Sequence, residues 1–338
     1  MEDCDFINGS YFNSYCNSEY TGCDFNTSVR PLAAHHKYTD CTIKGSALSV
    51  SNLKLYKGYD CTLNIDGVAY TYDADGDGLV KNAEGAVVAW HRGILADALA
   101  AANADMTIVL LNDIYGDVTV AQKEGVKIVI DGNGKNYDGM ITVDGKSATY
   151  TTAGLTVKNL TFNASSISGD ACIRLGDGTN ATRYTCNVAV ENCTFAVPGA
   201  VGVKSYTGGD KNLKLSGCTA TAAAHSLLQV AGVDEVLVEG CTINSKNGMN
   251  FNNSVKVTIN ECNADVKGYA ARFGAGSAAN GAAETYAISG STLKSACEDG
   301  DAVIILRGSA DNATLTLTNT TLVGATEITN NTNAQVIR

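Results

Sequence analysis

The sequence predicts an all-β chain, a parallel β-helix solenoid with one capping α-helix and a shorter array of β-rungs at its N-terminus. Three observations carry this prediction. A six-residue segment recurs seven times, as "VKNLTF" (157–162), "VENCTF" (190–195), "LSGCTA" (215–220), "VEGCTI" (238–243), "INECNA" (259–264), "ISGSTL" (288–293) and "LTNTTL" (317–322). Each copy closes a stretch of alternating apolar and polar residues, the period of a strand with one buried face. The 35 glycines and only two prolines fit many tight turns between ordered strands.

Aligning Leu160, Cys193, Cys218, Cys241, Cys262, Ser291 and Thr320 gives steps of 33, 25, 23, 21, 29 and 29 residues. A β-rich unit of this length, varied through its loops, is the signature of a solenoid. A second short strand follows each corner: "ACIRLG", "VGVKSY", "SLLQVA", "GMNFNN", "AARFGA" and "VIILRG". One rung cannot bury its apolar face alone, so the corner recurs because stacking like on like makes the core.

The N-terminal part differs. Cys4, Cys23, Cys41 and Cys61 step by 19, 18 and 20 residues, and eight of the 15 tyrosines precede residue 73. Residues 1–72 are therefore expected to form short, loop-free rungs, with an acidic linker over 73–90. The capped β-helix is expected over 91–338. Its helix is "HRGILADALAAANAD" (91–105), in which Leu95, Leu99 and Ala102 share a face. A cap is needed where a first rung would otherwise expose open backbone and core.

Composition narrows the function. The net charge of −11 disfavours nonspecific binding to nucleic acid or anionic membranes. No apolar run is long enough to insert into a bilayer. The start, "MEDCDFINGS", has neither a basic n-region nor an apolar h-region, so no signal peptide is expected in this chain. The twelve cysteines contain no CxxC pair and stand beside only four histidines, which gives zinc poor support. Stacked in register, Cys193, Cys218, Cys241 and Cys262 would point the same way about 4.8 Å apart. Disulfides need converging Cβ vectors, so a reduced, buried ladder is expected.

Residues 91–338 resemble the pectin-lyase-like right-handed β-helix superfamily, on "IVIDGNGKNYDG" (128–139) and the repeated "xxNCTF" corners. The resemblance implies a right-handed solenoid. It leaves activity open, because the superfamily holds pectate lyases, polygalacturonases, viral tailspikes and noncatalytic adhesins.

Two sets of residues are candidates for binding. "DADGDGLVKNAE" (73–84) matches the Asp-x-Asp-x-Asp-Gly-x5-Glu calcium loop. Asp73, Asp75 and Asp77 would supply carboxylates, Leu79 its carbonyl, and Glu84 a bidentate closure around a structural Ca2+. A strand-like approach, "GVAYTY", and Lys81 at the ninth position fit an acidic turn equally well. The second set lies near one point of the second strands: Arg174, Lys204, Gln229, Asn250, Arg272 and Arg307. Projecting outward in register, they would form a partly basic stripe on an acidic protein, suited to an acidic glycan or simply solvated.

Catalytic signatures such as HExxH, GxSxG and a phosphate-binding loop are missing, and Asp170 and Asp301 read as turn aspartates. The expectation is a noncatalytic recognition or structural protein, a virion fibre or spike component or a cell-surface adhesin. Its partner would be a glycan or cell-surface polysaccharide, and it would act as a homotrimer or within a larger assembly. The alternatives are a secreted calcium-dependent polysaccharide lyase or glycoside hydrolase, and a pure scaffold.

Overall fold

The structure, a computed structural model, describes residues 2–6, 11–14, 18–25, 28–31, 36–39, 41–43, 61–65, 68–72, 79–90, 92–144, 153–163, 167, 170–176, 186–205, 209–274 and 284–338. The chain is all-β, with mostly parallel strands stacked as a β-solenoid and, among the described residues, one α-helix. It divides into two compact units, Met1–Ala102 with Met106–Ile114, and Asn103–Asp105 with Tyr115–Arg338.

In the first unit, short parallel strands join Asp5–Phe6, Asp24–Phe25 and Cys41–Ile43 in register, at the expected sub-20-residue spacing. Cys61–Ile65 and Val68–Tyr72 then form an antiparallel hairpin. The helix Arg92–Ala101 belongs to this unit and buries Ile94, Leu95, Ala98 and Leu99, the 3.6-residue stripe that the sequence predicts.

The second unit carries the rungs. Its first sheet stacks Lys127–Asp131, Gly154–Lys158, Cys186–Glu191, Gly209–Ser216, Val233–Glu239, Lys256–Asn260, Thr285–Ser289, Thr314–Thr318 and Gln335–Ile337. The second sheet is made of the corner segments, from Asn136–Asp138 to Thr321–Val323. The third stacks Val118–Ala121, Ile141–Asp144, Ala171–Leu175, Val201–Ser205, Ser226–Ala231, Met249–Asn252, Ala271–Phe273, Ile304–Leu306 and Ile328–Asn330. Neighbouring rungs pair in parallel, so each side chain sits above its equivalent. The interior is filled by these columns. Tyr137, Phe162 and Phe195 follow one another at ring separations of 5.6 and 5.5 Å, and Phe251 stacks on Phe273 at 5.3 Å.

The corner has a backbone cause. The residue before each aligned position turns through the left-handed region: Asn159 (φ 55°), Asn192 (52°), Gly217 (61°), Gly240 (58°), Glu261 (52°), Gly290 (56°) and Asn319 (48°). Glycine and asparagine tolerate that conformation best, which explains six of the seven choices. Where the next residue is cysteine, serine or threonine, its side chain bonds to backbone carbonyls. Cys218 Sγ–H donates to the Val190 carbonyl of the previous rung (3.3 Å) and to that of Ser216 (3.5 Å). Ser291 and Thr320 make the equivalent bond to the carbonyl two residues back, at 2.8 and 3.1 Å. Cys193, Cys218, Cys241 and Cys262 are free and buried, as the spacing predicts. Burial, then the neighbouring Cys218, holds the Cys193 thiol up at about 12.

Candidate ligand-binding face

The stripe predicted from sequence is assembled by the third sheet. Arg174 pairs with Lys204, Lys204 with Gln229, Gln229 with Asn250 and Asn250 with Arg272. At a rung spacing of about 4.8 Å, these five positions span about 19 Å. The column is half-buried rather than fully solvated, and Asn250 is only 5% exposed.

Arg307 corrects the in-register expectation. The partner of Arg272 on the next rung is Ile305, so Arg307 stands two residues past the column. Its side chain nevertheless reaches back along the solenoid. Nε–H donates to the Gly274 carbonyl (3.2 Å), and Nη2 donates to Asn252 Oδ1 (3.2 Å), two rungs away. Gly274 (φ 84°) makes this close approach possible, because a Cβ there would overlap the Arg307 carbonyl. The guanidinium then lies near enough to Arg272 for repulsion to act with burial, the larger cause, in lowering its pKa.

A second line of polar groups comes from the turns before these strands. Asp170 precedes Arg174 by four residues, and its carboxylate meets both Arg174 (3.4 Å) and Lys204 (3.6 Å). His225 precedes Gln229 by four, and its Nδ1 lies 3.2 Å from Gln229 Nε2. Lys246 and Asp301 hold the same offset from Asn250 and Ile305. Burial lowers the His225 pKa below its ordinary 6.5, and the charges of Lys246, Lys204 and Arg272 push it further. The imidazole is therefore neutral at pH 7. Tyr269, 3% exposed, lies under the Arg272 guanidinium, with the ring centroid 4.2 Å from Cζ.

Charge is distributed unevenly along this face. Arg174 and Lys204 share Asp170. Lys246, Arg272 and Arg307 have no carboxylate within 4.0 Å among the described residues. Arg272 is instead held by Asn250 Oδ1 (3.1 Å) and the Tyr269 ring. Asp170 and Asp301 stand five rungs apart, about 24 Å, far beyond the separation at which two carboxyl groups cooperate in glycoside hydrolysis.

His225, Lys246 and Tyr269 were not singled out as members of a site by sequence reasoning, and Asp170 and Asp301 were read as turn residues. For His225 and Lys246 the signal is a common four-residue offset before the column, which Tyr269, three residues before Arg272, does not share. Of the calcium-loop residues, Asp73, Asp75 and Asp77 lie outside the described residues. Leu79 is buried, and Glu84 is exposed in the turn of a hairpin closed by the Asn82–Ala86 hydrogen bonds. Among the described residues, no group of three or more His, Cys, Asp or Glu side chains is arranged to hold a metal ion.

A concavity of about 670 Å³ lies on the outer face of the first sheet, among Gly154, Thr156, Asn187, Asn212, Lys214 and Leu237. Several of its polar side chains are already paired, though Lys127 has no carboxylate within 4.0 Å among the described residues. Asn212 Nδ2 donates to Asn187 Oδ1 (2.8 Å), Lys214 meets Glu239 (2.7 Å), and Glu235 meets Lys256 (2.5 Å). The third sheet, where several such cations neighbour one another, is the stronger candidate. No protein-family model matches this chain, and no curated protein is significantly similar to it in sequence.

Proposed function

We propose that this chain is a noncatalytic recognition protein of the pectin-lyase-like kind, displayed on a virion or a cell surface, which holds an acidic glycan along its third sheet. The observation that carries the proposal is the set Lys246, Arg272 and Arg307, cations without a carboxylate partner among the described residues, beside the amides of Gln229 and Asn250. In-register rungs repeat a contact every 4.8 Å or so, and an extended polymer can follow them, adding weak contacts through multivalency.

Calorimetric titration with polygalacturonate, alginate and hyaluronan oligomers tests the reading, with reducing ends and unsaturated products monitored in the same samples. Binding without turnover is expected, weakening as salt rises because exposed charges are screened beyond about 8–10 Å. Arg272→Glu with Arg307→Glu is expected to abolish it with little change in melting temperature. Intact binding in that double variant counts against the site.

One observation favours β-elimination as a second reading. The neutral imidazole of His225 lies among Lys204, Lys246 and Arg272, where a base and carboxylate-neutralising cations would be needed. Unsaturated product from the wild type, lost in His225→Ala, would establish it. A structural calcium ion at residues 73–84 belongs to the same proposal. Millimolar calcium is expected to raise the melting temperature, and Asp75→Ala to remove that response.

A further inference from the structure

We infer that the Arg272–Arg307 pair is a subsite for a sulfate ester carried by the bound glycan. The inference rests on the glycan-binding reading and names the group that this end of the face selects. Two guanidinium groups beside each other are unfavourable unless something anionic joins them. Here they are held in place by neutral acceptors alone: Asn250 Oδ1 and the Tyr269 ring for Arg272, and the Gly274 carbonyl and Asn252 Oδ1 for Arg307. The nearby carboxylate, that of Asp301, would lie 3.1 Å from a Cβ built at Gly268 and forms no ion pair with any cation among the described residues.

Donor counting separates a sulfate from a carboxylate. A guanidinium has five N–H donors. Arg272 uses one of them, on Asn250, and Arg307 uses two, on Gly274 and Asn252. Seven remain, on two neighbouring rungs. A uronate carboxylate offers two oxygens, and one arginine fork can meet each of them with a bond. A sulfate ester offers three terminal oxygens, so an acceptor is left for the second guanidinium. The polymer need not be sulfated throughout, because Asp170 offsets one of the two charges at the Arg174–Lys204 end. That end suits hydroxyl-rich or monoanionic sugar.

The test compares unsulfated chondroitin hexasaccharide with its sulfated counterpart by calorimetric titration of the full chain, with inorganic sulfate as a third titrant. The sulfated form is expected to bind at least about tenfold more tightly, as one well-formed charge-assisted contact provides. Arg307→Gln, which keeps a donor to Gly274 or Asn252, is expected to weaken both ligands but the sulfated one by about tenfold more, so that the preference disappears. Its melting temperature should match the wild type, which separates a lost contact from a lost fold. Equal affinity for both hexasaccharides overturns the sulfate subsite and leaves the glycan reading standing. A preference that survives Arg307→Gln, or inorganic sulfate that fails to weaken the sulfated ligand selectively, also overturns it. Binding of neither hexasaccharide, or of any uronate oligomer, removes both.

Discussion

Arg272 and Phe273 are consecutive residues on one strand, and their surroundings could hardly differ more. Phe273 is fully buried between like neighbours, 5.3 Å from the Phe251 ring and 4.4 Å from that of Tyr286. Arg272 lies one residue away on the other face, half-exposed, with an asparagine below it and an isoleucine above. The same register generates both columns. Inward, burial requires apolar residues of matching shape. Outward, nothing in the solenoid's own stability requires two adjacent cations without a carboxylate. The inner column answers the folding problem, and the outer one is free to serve a ligand.

The sharpest way to break this contrast is to empty the inner column. Phe273→Ala is expected to destabilise the protein by about 3–5 kcal/mol, the usual cost of a large cavity in a packed core. Arg272→Ala, one residue away, should move the urea midpoint only slightly. Comparable losses in the two variants would mean that the outer stripe is structural after all. Because rungs of a solenoid can unfold separately, the midpoint should be followed by two probes.

The next effect depends on pH. Glu284 is 4% exposed, and its carboxylate accepts a hydrogen bond from the Tyr286 hydroxyl inside the same aromatic column. Burial raises its pKa above 4.5, and the tyrosine bond opposes that without cancelling it. The folded carboxyl therefore holds its proton more tightly than the unfolded one. Its contribution to stability is full below pH 4.5 and disappears as pH rises through the raised folded value. Glu284→Gln should flatten that slope in a melting series across pH 4 to 8. On the outer face the sign for binding follows His225. Its pKa lies below 6.5, so acidification adds a cation to the stripe and should tighten a polyanion, and His225→Ala should remove this gain.

The two columns also differ in how much of them the sequence discloses. The inner one is legible because burial repeats one chemical type at one spacing. Period-two alternation located the strands, and the recurring corner located the rungs. The outer one is legible only in part. Arg174, Lys204, Gln229, Asn250 and Arg272 lie near one point of their second strands and do stack. Arg307 does not, because Ile305 takes the register position on its rung and the arginine side chain reaches back two rungs to Asn252. Strand periodicity does not signal His225, because a turn folds it back against Gln229 four positions later, and Lys246 stands at the same offset before Asn250.

A smaller effect separates burial from bonding at the corner. Cys241 is buried and its thiol donates to the Glu239 carbonyl at 3.4 Å. Serine can make that bond, as Ser291 does to the Ser289 carbonyl. Cys241→Ser should therefore cost no more than about 1 kcal/mol, whereas an unsatisfied buried hydroxyl would cost about 1–3 kcal/mol. A loss in the upper range would show that the corner selects sulfur for its volume. Mass spectrometry of the unreduced protein should find no disulfide among Cys193, Cys218, Cys241 and Cys262.

The smallest expected effect concerns the corner backbone, and it is a gain. Glu261 is the one corner residue that is neither glycine nor asparagine, yet it adopts φ 52° like the others. A residue with a Cβ costs about 1–2 kcal/mol in that region, while glycine has no such penalty. Against this, glycine loses more chain entropy on folding, by about 0.5–1 kcal/mol. Glu261→Gly should therefore stabilise the protein by a net ~0.5 kcal/mol, measured as a rise in urea midpoint at unchanged slope. The reverse change is its control. Gly240, at φ 58° in the preceding rung, has only the Gly217 backbone nitrogen near the place a Cβ would fill, at 4.0 Å. Gly240→Glu can therefore fit without a clash and should lose stability through backbone strain alone. If Glu261→Gly instead destabilises while Gly240→Glu behaves as expected, the Glu261 side chain contributes something that outweighs the strain of its own turn. The corner would then belong partly with the outer face, whose residues do not follow from the rung alone.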